Sequence, residues 1–323
     1  MKALIEKFYP IIVSDIQKLG GYDNANYLVT TDYKKYIFKT YSVSEKEFVD
    51  SETRALHHLN SFSISKPIRG ITDKYFYETE FNGEKIIIRL LSFLDGDVMK
   101  DVPLTDVLLR SFGSFLAELD LSLKHFKNFF IQANQHPWDN QHWKLNEELI
   151  QHIAQPAQRK LVEHFFQQYE ENVVPKIPNL RKQIIHNDAN TGNVLVKKGV
   201  VSGIIDLGDI AYTFLVNDIS NAIAYAIIGQ KNPLEIGATI IKSYTKILPL
   251  LVDEIDVLYY LIATRLSVSV CNSAHRKVIN PDNAHIFTTE KDAFELLEKW
   301  IDIDPIQVQN TFRKAAGFDT QNA

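Results

Sequence analysis

The stretch from Ile184 to Asp209, IIHNDANTGNVLVKKGVVSGIIDLGD, constrains this chain more than any other. Three apolar, β-branched runs alternate with short polar loops: a strand before His186, a second from Val194 to Val196 and a third from Val200 to Ile205. The loops present His186, Asp188, Asn193, Asp206 and Asp209. Loops bordered by strands hold their side chains still, which suits a site better than a linker.

The spacing carries the chemistry. His-x-Asp is followed by Asn five residues beyond that Asp, and a second Asp closes the next hydrophobic strand. Phosphoryl transfer needs one carboxylate to accept the proton of an attacking hydroxyl. It also needs an amide oxygen and another carboxylate to hold the Mg²⁺ ions that neutralise the phosphates. On this reading Asp188 is the base, Asn193 and Asp206 are the metal ligands, and His186 braces the loop by hydrogen bonding. Asp and Asn also crowd loops simply because they make turns, and a His-x-Asp pair alone arises by chance. The complete set in its strand context favours the catalytic reading.

Length and composition bound the rest. The 323 residues suffice for two modest domains or one large one, and 45% hydrophobic content is ordinary for a globular protein. A net charge of −5 and a pI near 6.1 argue against a nucleic-acid partner, which needs a concentrated basic face. The single cysteine, Cys271, excludes an intrachain disulfide and reads as a small buried apolar residue. The N-terminus carries Glu6 and Asp15 and does not resemble a signal peptide, while the apolar run from Leu258 to Val270 is interrupted by Arg265 and is too short to span a bilayer. The expectation is a soluble cytoplasmic protein acting on small molecules, with no membrane partner; the oligomeric state is not legible.

Taken in order, a helical N-terminal segment leads to LGGYDNANYLVT, where Gly20 and Gly21 precede a strand from Asn26 to Thr30. Glycines there allow backbone N–H groups to approach phosphates, although two glycines before a strand are also a common turn. Lys39 lies on the next strand, KYIFKTY, sharing a face with Ile37 and Tyr41. Ser44 and Glu47 form a capping box for a helix running to about Leu59, and Glu52 falls on its apolar face with Phe48, Ala55 and Leu56. A carboxylate there needs a cation. Lys39 is the expected one, and a strand lysine paired with a helix glutamate aims an ammonium at the α- and β-phosphates; the alternative is a surface ion pair of little worth.

Tyr75 to Phe81, Asn82-Gly83 and Lys85 to Leu91 make a hairpin, because Asn-Gly suits a type I′ turn. Leu90 to Leu94 then reads as a linker whose backbone, at Leu91 and Phe93, serves the nucleotide base. The boundary near Phe93 divides a nucleotide-binding lobe, 1–92, from a helical catalytic and substrate-binding lobe, 93–323. A long core-facing helix is expected from Leu104 to Phe126, and further helices from Leu145 to Ile153, Ala157 to Glu170, Asn217 to Ile228, Pro233 to Leu248, Asp253 to about Cys271 and Thr289 to Ile303. The last helix starts at Asp304-Pro305. His136, His142, His152 and His164 form no metal-ligand pattern.

With the glycine loop, Lys39, Glu52, HNDANTGN and IIDLGD in this order, the chain resembles the aminoglycoside phosphotransferase and choline kinase-like superfamily over nearly its whole length. GGYDNANY, RLLSFLDG, PWDN, HNDANTGNVLV, IIDLGDIAYTFLVND and AIAYAIIG resemble its hydroxylysine kinase-like branch. The resemblance implies an α+β, bilobal protein kinase-like fold with a small antiparallel-sheet N-lobe and a mostly helical C-lobe. It also implies ATP or GTP as phosphoryl donor, Mg²⁺ as cofactor, Asp188 as base, Asn193 and Asp206 on the metal, Lys39 on the phosphates and Glu52 orienting it. Asp209 then lies near the metal or the substrate mouth. Leu207 and Asn140 depart from that branch's usual phenylalanine and leucine, which leaves the substrate open.

Arg265 is costly inside an apolar helix without an anion. A salt bridge to Asp209 or Asp218 would satisfy it, and so would the carboxylate of an amino-acid substrate. Asp139, beside Trp138, is either a receiver for a substrate ammonium or a turn or cap residue. The acceptor expected is an amino-bearing hydroxy compound, with hydroxylysine leading and homoserine, choline, ethanolamine or an aminoglycoside behind it. A nucleotide-binding pseudokinase scaffold is the alternative of another class, against which the complete set of catalytic groups argues.

Overall fold

A computed structural model describes residues 1–20, 25–279 and 287–319, with side chains from residue 290 in the last segment. Helix α1 (Lys2–Phe8) precedes five antiparallel strands in the order β1-β2-β3-β5-β4: β1 (Asp15–Leu19), β2 (Ala25–Thr30), β3 (Lys35–Ser42), β4 (Phe76–Phe81) and β5 (Glu84–Ser92). Helix α2 (Lys46–His58) follows β3. Short strands β6 (Asp97–Val98), β8 (Val194–Lys197) and β9 (Val200–Ile204) form a second sheet, and β7 (Lys182–Ile185) pairs with β10 (Ala211–Phe214). The remaining helices are α3 (Asp106–Leu123), α4 (Phe129–Ala133), α5 (Pro156–Asn172), α6 (Val216–Ala226), α7 (Pro233–Thr245), α8 (Val252–Asp256), α9 (Leu258–Ile279), α10 (Phe287–Trp300) and α11 (Pro305–Ala316). An antiparallel-sheet region followed by a largely helical one is the architecture expected. Among the described residues no helix is long and apolar enough to cross a membrane.

Side-chain alternation on β3 divides the first sheet into two faces. Phe38 joins Ile5, Tyr9, Val29, Ile88 and Leu90 beneath α1, whereas Tyr41 packs with Val49 of α2 and Ile87. Lys39 shares the α2 side of the sheet with Tyr41. The hairpin between β4 and β5 turns on Asn82 (φ 52°) and Gly83 (φ 83°), the two positive torsions a type I′ turn requires.

Local corrections have physical causes. The capping box is Ser42 with Glu45, two residues earlier than expected: Ser42 Oγ accepts from Ser44 N (3.3 Å), and Glu45 Oε2 accepts from Ser42 N (2.8 Å). It caps a short 3₁₀ turn that feeds α2. Residues 140–152 form a 3₁₀ helix kinked at His142 where an α-helix was expected from Leu145. The expected helix from Asp253 is broken at Val257 and continues as α9 to Ile279, beyond Cys271. Cys271 is buried, as its type implied.

Helices α3 and α7 approach closely at Gly113, where an added Cβ would fall 2.3 Å from the Ile240 carbonyl oxygen. Backbone cannot yield as a side chain can. Gly113→Ala is therefore expected to destabilise the fold by about 1–3 kcal/mol despite alanine's better helix propensity, read as a lower urea midpoint at unchanged slope.

Candidate active site

A cleft of about 340 Å³ opens between the five-stranded sheet and the β8–β9 hairpin. Its walls include Leu19, Gly20, Ile37, Lys39, Glu52, Leu91, Phe93, Leu195 and Leu207, together with Asn193 and Asp206. Gly20, Leu91 and Phe93 thus border one cavity with the polar groups; Gly21 lies outside the described residues. The apolar walls Leu19, Ile37, Leu195 and Leu207 offer a flat ring the contacts a nucleotide base needs.

Lys39 does not pair with Glu52. Its Nζ lies 3.0 Å from Asp206 Oδ1, while Glu52 Oε2 accepts from Arg89 Nη2 at 2.5 Å. Strand register explains the exchange: Lys39 stands directly opposite Arg89 on β5, so two cations share the face that α2 covers, and the longer, forked one reaches Glu52. Arg89 also lies 4.9 Å from the Tyr41 ring centroid. Burial acts to lower the Lys39 pKa, but Asp206, aided by Tyr41 and Glu52, outweighs it and holds the ammonium above its ordinary value. Lys39 in turn holds the Asp206 carboxyl below the usual range.

The loop after β7 is fixed from both sides. Asp188 N–H donates to His186 Nδ1 (3.2 Å), which leaves Nε2–H to donate to the Ile205 carbonyl (3.2 Å) and defines a neutral tautomer. Asn187, in the left-handed region at φ 64°, donates its N–H to Asp218 Oδ1 at 2.6 Å. Asp206 is left-handed too, at φ 64°. Such torsions in non-glycine residues persist only where surroundings over-determine them.

Three donors converge on the Asp188 carboxylate. Asn190 Nδ2 (2.9 Å) and Asn193 Nδ2 (2.7 Å) both reach Oδ2, and Arg265 Nη2 (2.8 Å) reaches Oδ1. A carboxylate offers about four lone-pair sites, so one on Oδ1 remains for an incoming hydroxyl. Burial and the neighbouring Asp209 push the Asp188 carboxyl up to about 7, against the opposing pull of Arg265 and Asn190.

Arg265 thus donates to Asp188 and to the Trp138 carbonyl (2.5 Å) rather than to the expected Asp209 or Asp218, and its Nε has no hydrogen-bond partner among the described residues. With the residue 1% exposed and its Cζ 5.4 Å from the Trp138 ring centroid and 5.5 Å from that of Tyr225, it faces the carboxylate rather than solvent. Asp139 is buried and caps residues 140–152; its Oδ1 accepts from Gln141 N (3.0 Å), Thr213 Oγ1 (2.7 Å) and Asn217 Nδ2 (3.2 Å). This is the cap role, with all three bonds made by Oδ1. Asp209, partly exposed, lies 3.5 Å from His136 Nε2.

The oxygen donors fit Mg²⁺. Asn193 spends its amide nitrogen on Asp188, which leaves the amide oxygen for a cation, and Asp206 supplies a carboxylate beside it in the cleft. Mg²⁺ favours one or two such groups completed by phosphate and water over a full protein cage.

A cleft under an antiparallel sheet, lined by Asn193 and Asp206 on strand-flanked loops, with Asn193 bonded in turn to Asp188, defines a kinase-like phosphotransferase. The chain belongs to the phosphotransferase enzyme family, whose pattern matches residues 15–249. It is 25% identical to the hydroxylysine kinase of Mus musculus, over 99% of this chain and 93% of that protein. Among solved structures it resembles an amicoumacin kinase in complex with AMP-PNP and Ca²⁺, at a TM-score of 0.69 and 16% identity over 95% of this chain and 96% of the other. It also resembles a microcompartment-associated aminopropanol kinase, at 0.68 and 14% over 92% and 96%. The chain is a small-molecule kinase.

Proposed function

We propose that the chain transfers the γ-phosphoryl group of ATP or GTP to a hydroxyl of a small amino-bearing acceptor, with hydroxylysine the leading candidate, and that it does so in the cytoplasm. The observation that carries the reading is the Asp188 carboxylate, held by three donors with one acceptor position left open beside the cleft. Similarity to hydroxylysine kinases along the whole chain supports the choice of acceptor.

The residues divide the work. Asp188 accepts the proton of the acceptor hydroxyl; Asn190, Asn193 and Arg265 keep its carboxylate aimed. His186 and Asp218 hold the loop's backbone, so the base does not reorganise as charge moves. Lys39 and Asp206 meet the phosphates in the cleft, while Leu91, Phe93 and Gly20 border the base and sugar. Mg²⁺, held by Asn193 and Asp206, would neutralise phosphate charge. Asp209, whose charge acts on Asp188, would receive the acceptor's ammonium.

The test is nucleoside-diphosphate release with Mg²⁺ and ATP or GTP across hydroxylysine, homoserine, ethanolamine, choline and aminoglycosides. Stimulation by hydroxylysine above the others is the expected result. Stimulation by another acceptor alone would keep the kinase and discard hydroxylysine.

A further inference from the structure

Behind the loop that carries Asp188, two carboxyl groups meet in the interior. Asp120 of α3 and Asp218 of α6 are both fully buried and lie within hydrogen-bonding reach of each other. Each has one oxygen already occupied. Tyr244 of α7 donates its hydroxyl to Asp120 Oδ2 at 2.6 Å, and the Asn187 N–H donates to Asp218 Oδ1 at 2.6 Å. The other two oxygens, Asp120 Oδ1 and Asp218 Oδ2, are enclosed and receive no donor from any described residue.

We propose that Asp120 is a positioning residue for catalysis: as a neutral carboxyl it donates one hydrogen bond to Asp218, and so fixes the carboxylate that holds Asn187 beside the base. The link to catalysis rests on Asp188 being the base of the kinase reaction; the shared proton stands without it.

Hydrogen bonding is the first argument. Ionised carboxylates only accept, so a contact between two of them is repulsive unless one carries a proton. A proton on Asp120 Oδ1, donated to Asp218 Oδ2, satisfies both donor-less oxygens at once. The Tyr244 hydroxyl then falls on the carbonyl oxygen of the acid, which is the acceptor the acid retains. Charge is the second argument. Arg181, which also acts on Asp120, commits Nε and Nη2 to Glu254 (2.8 and 2.5 Å). Lys182 of β7 donates to Gln141, Lys242 of α7 is exposed, β9 has no ionisable side chain, and His186 accepts at Nδ1 and is neutral. This interior therefore suits one negative charge, not two. Burial and Asp218 accordingly hold the Asp120 carboxyl far above the usual carboxylate range, against the pull of the Tyr244 hydroxyl. Burial raises Asp218 as well, but the hydrogen bond from Asp120 and the N–H groups of Asn187 and His186 draw it back, which leaves the proton on Asp120.

Location is the third argument. Asn187 stands at φ 64°, a torsion that a non-glycine residue keeps only under constraint, and Asn221 Nδ2 holds its carbonyl at 2.8 Å. Asp218 supplies the hold on its N–H, one residue before Asp188. Hydrogen bonds thus run from Tyr244 through Asp120 and Asp218 to Asn187. The competing account is that Asp120 only joins α3 to α7 through Tyr244.

Two readouts need no acceptor. The first is urea unfolding between pH 5 and pH 7, where the unfolded chain has released the Asp120 proton and the folded chain keeps it. A proton held only in the folded state makes stability fall as pH rises, by about tenfold in the folding constant per pH unit. Asp120→Asn has no proton to lose, yet its amide donates to Asp218 and accepts from Tyr244. Its folding constant relative to wild type should therefore rise about tenfold per pH unit across that window. A ratio independent of pH would mean that both carboxyls are ionised and would overturn the proposal.

Hydrogen exchange followed by mass spectrometry is the second readout. Asp120→Leu, which leaves Asp218 without its donor, is expected to speed amide exchange at residues 186–188 about 10- to 100-fold, with smaller changes in α3 and α7. Asp120→Asn should stay within about threefold of wild type there. Tyr244→Phe, which removes only the hydroxyl on Asp120, should give the same local pattern at about 2- to 5-fold, and it carries the test if the leucine variant does not fold. Exchange unchanged in the loop, or raised equally in α3, α7 and the loop, would leave Asp120 a packing residue and overturn its positioning role. In acceptor-dependent turnover kcat should follow the loop, falling about 10- to 100-fold in Asp120→Leu and recovering in Asp120→Asn, with the nucleotide KM within about threefold throughout. A loosened loop with unchanged kcat would break the link to catalysis. If the wild type turns over no acceptor offered, the acceptor reading falls, and the pH slope and the exchange pattern still decide on Asp120.

Discussion

Asp188→Asn is expected to lower acceptor-dependent kcat by about 10²- to 10⁴-fold, the range for loss of a positioned proton acceptor. The asparagine keeps the volume, so the loop is not emptied, but it has no basic oxygen pair. Asn190 and Asn193 both donate to Oδ2 and Arg265 donates to Oδ1. An amide can satisfy either the two asparagines or the arginine with its oxygen, and it then turns an NH₂ toward the donors on the other side. Part of the loss will therefore come from loop displacement. Nucleotide binding without Mg²⁺ separates the two contributions: Asn193 belongs to this cluster, but Lys39, Asp206 and the apolar cleft walls lie outside it, so metal-free ATP affinity should change by no more than a few-fold. Turnover near the wild-type rate in the variant would remove Asp188 from the role.

That cluster also shows what a sequence can and cannot disclose. The loops from Ile184 to Asp209 were legible because their groups are close along the chain and their spacing is set by two short strands. The groups that converge on Asp188 from elsewhere were not. Asn190 is a turn residue by type. The pairing of Arg265 with Asp188 joins residues 77 apart in sequence, and the choice among Asp188, Asp209 and Asp218 depends on how α9 is rotated against the loop. Arg89 was missed for a related reason. Its strand reads as an apolar run, and only the register opposite Lys39 reveals that two cations compete for Glu52. The strands overlooked, β1, β6 and β10, are short or edge elements; β1 has a mostly exposed pattern with no alternation to betray it. At Asp139 the cap, one of the two roles its type allowed, is the one the fold displays, because the carboxylate starts the 3₁₀ helix after Trp138.

Arg89→Met is expected to destabilise the fold by about 3–5 kcal/mol, because it leaves Glu52 charged and enclosed. Arg89 is fully buried and Glu52 is 2% exposed, so solvent cannot replace the lost partner. Two nitrogens of Arg89, Nε and Nη1, have no hydrogen-bond partner among the described residues, so the pair is itself imperfectly satisfied. An apolar replacement of both members, Arg89→Met with Glu52→Leu, should therefore recover most of the loss, and urea unfolding of the two singles and the double measures the coupling. The same cycle decides how Glu52 serves Lys39. With Arg89 gone, Lys39 is the nearest cation on that face and can turn from Asp206 to Glu52, which would raise the KM for nucleotide in Arg89→Met. In the double variant no carboxylate competes, Lys39 stays with Asp206, and the nucleotide KM should return toward the wild-type value. A high KM in the double variant would instead mean that Glu52 orients Lys39 directly once nucleotide is bound, the arrangement the sequence first suggested. Arg89 would then be the residue that holds Glu52 in reserve until the phosphates draw Lys39 away from Asp206.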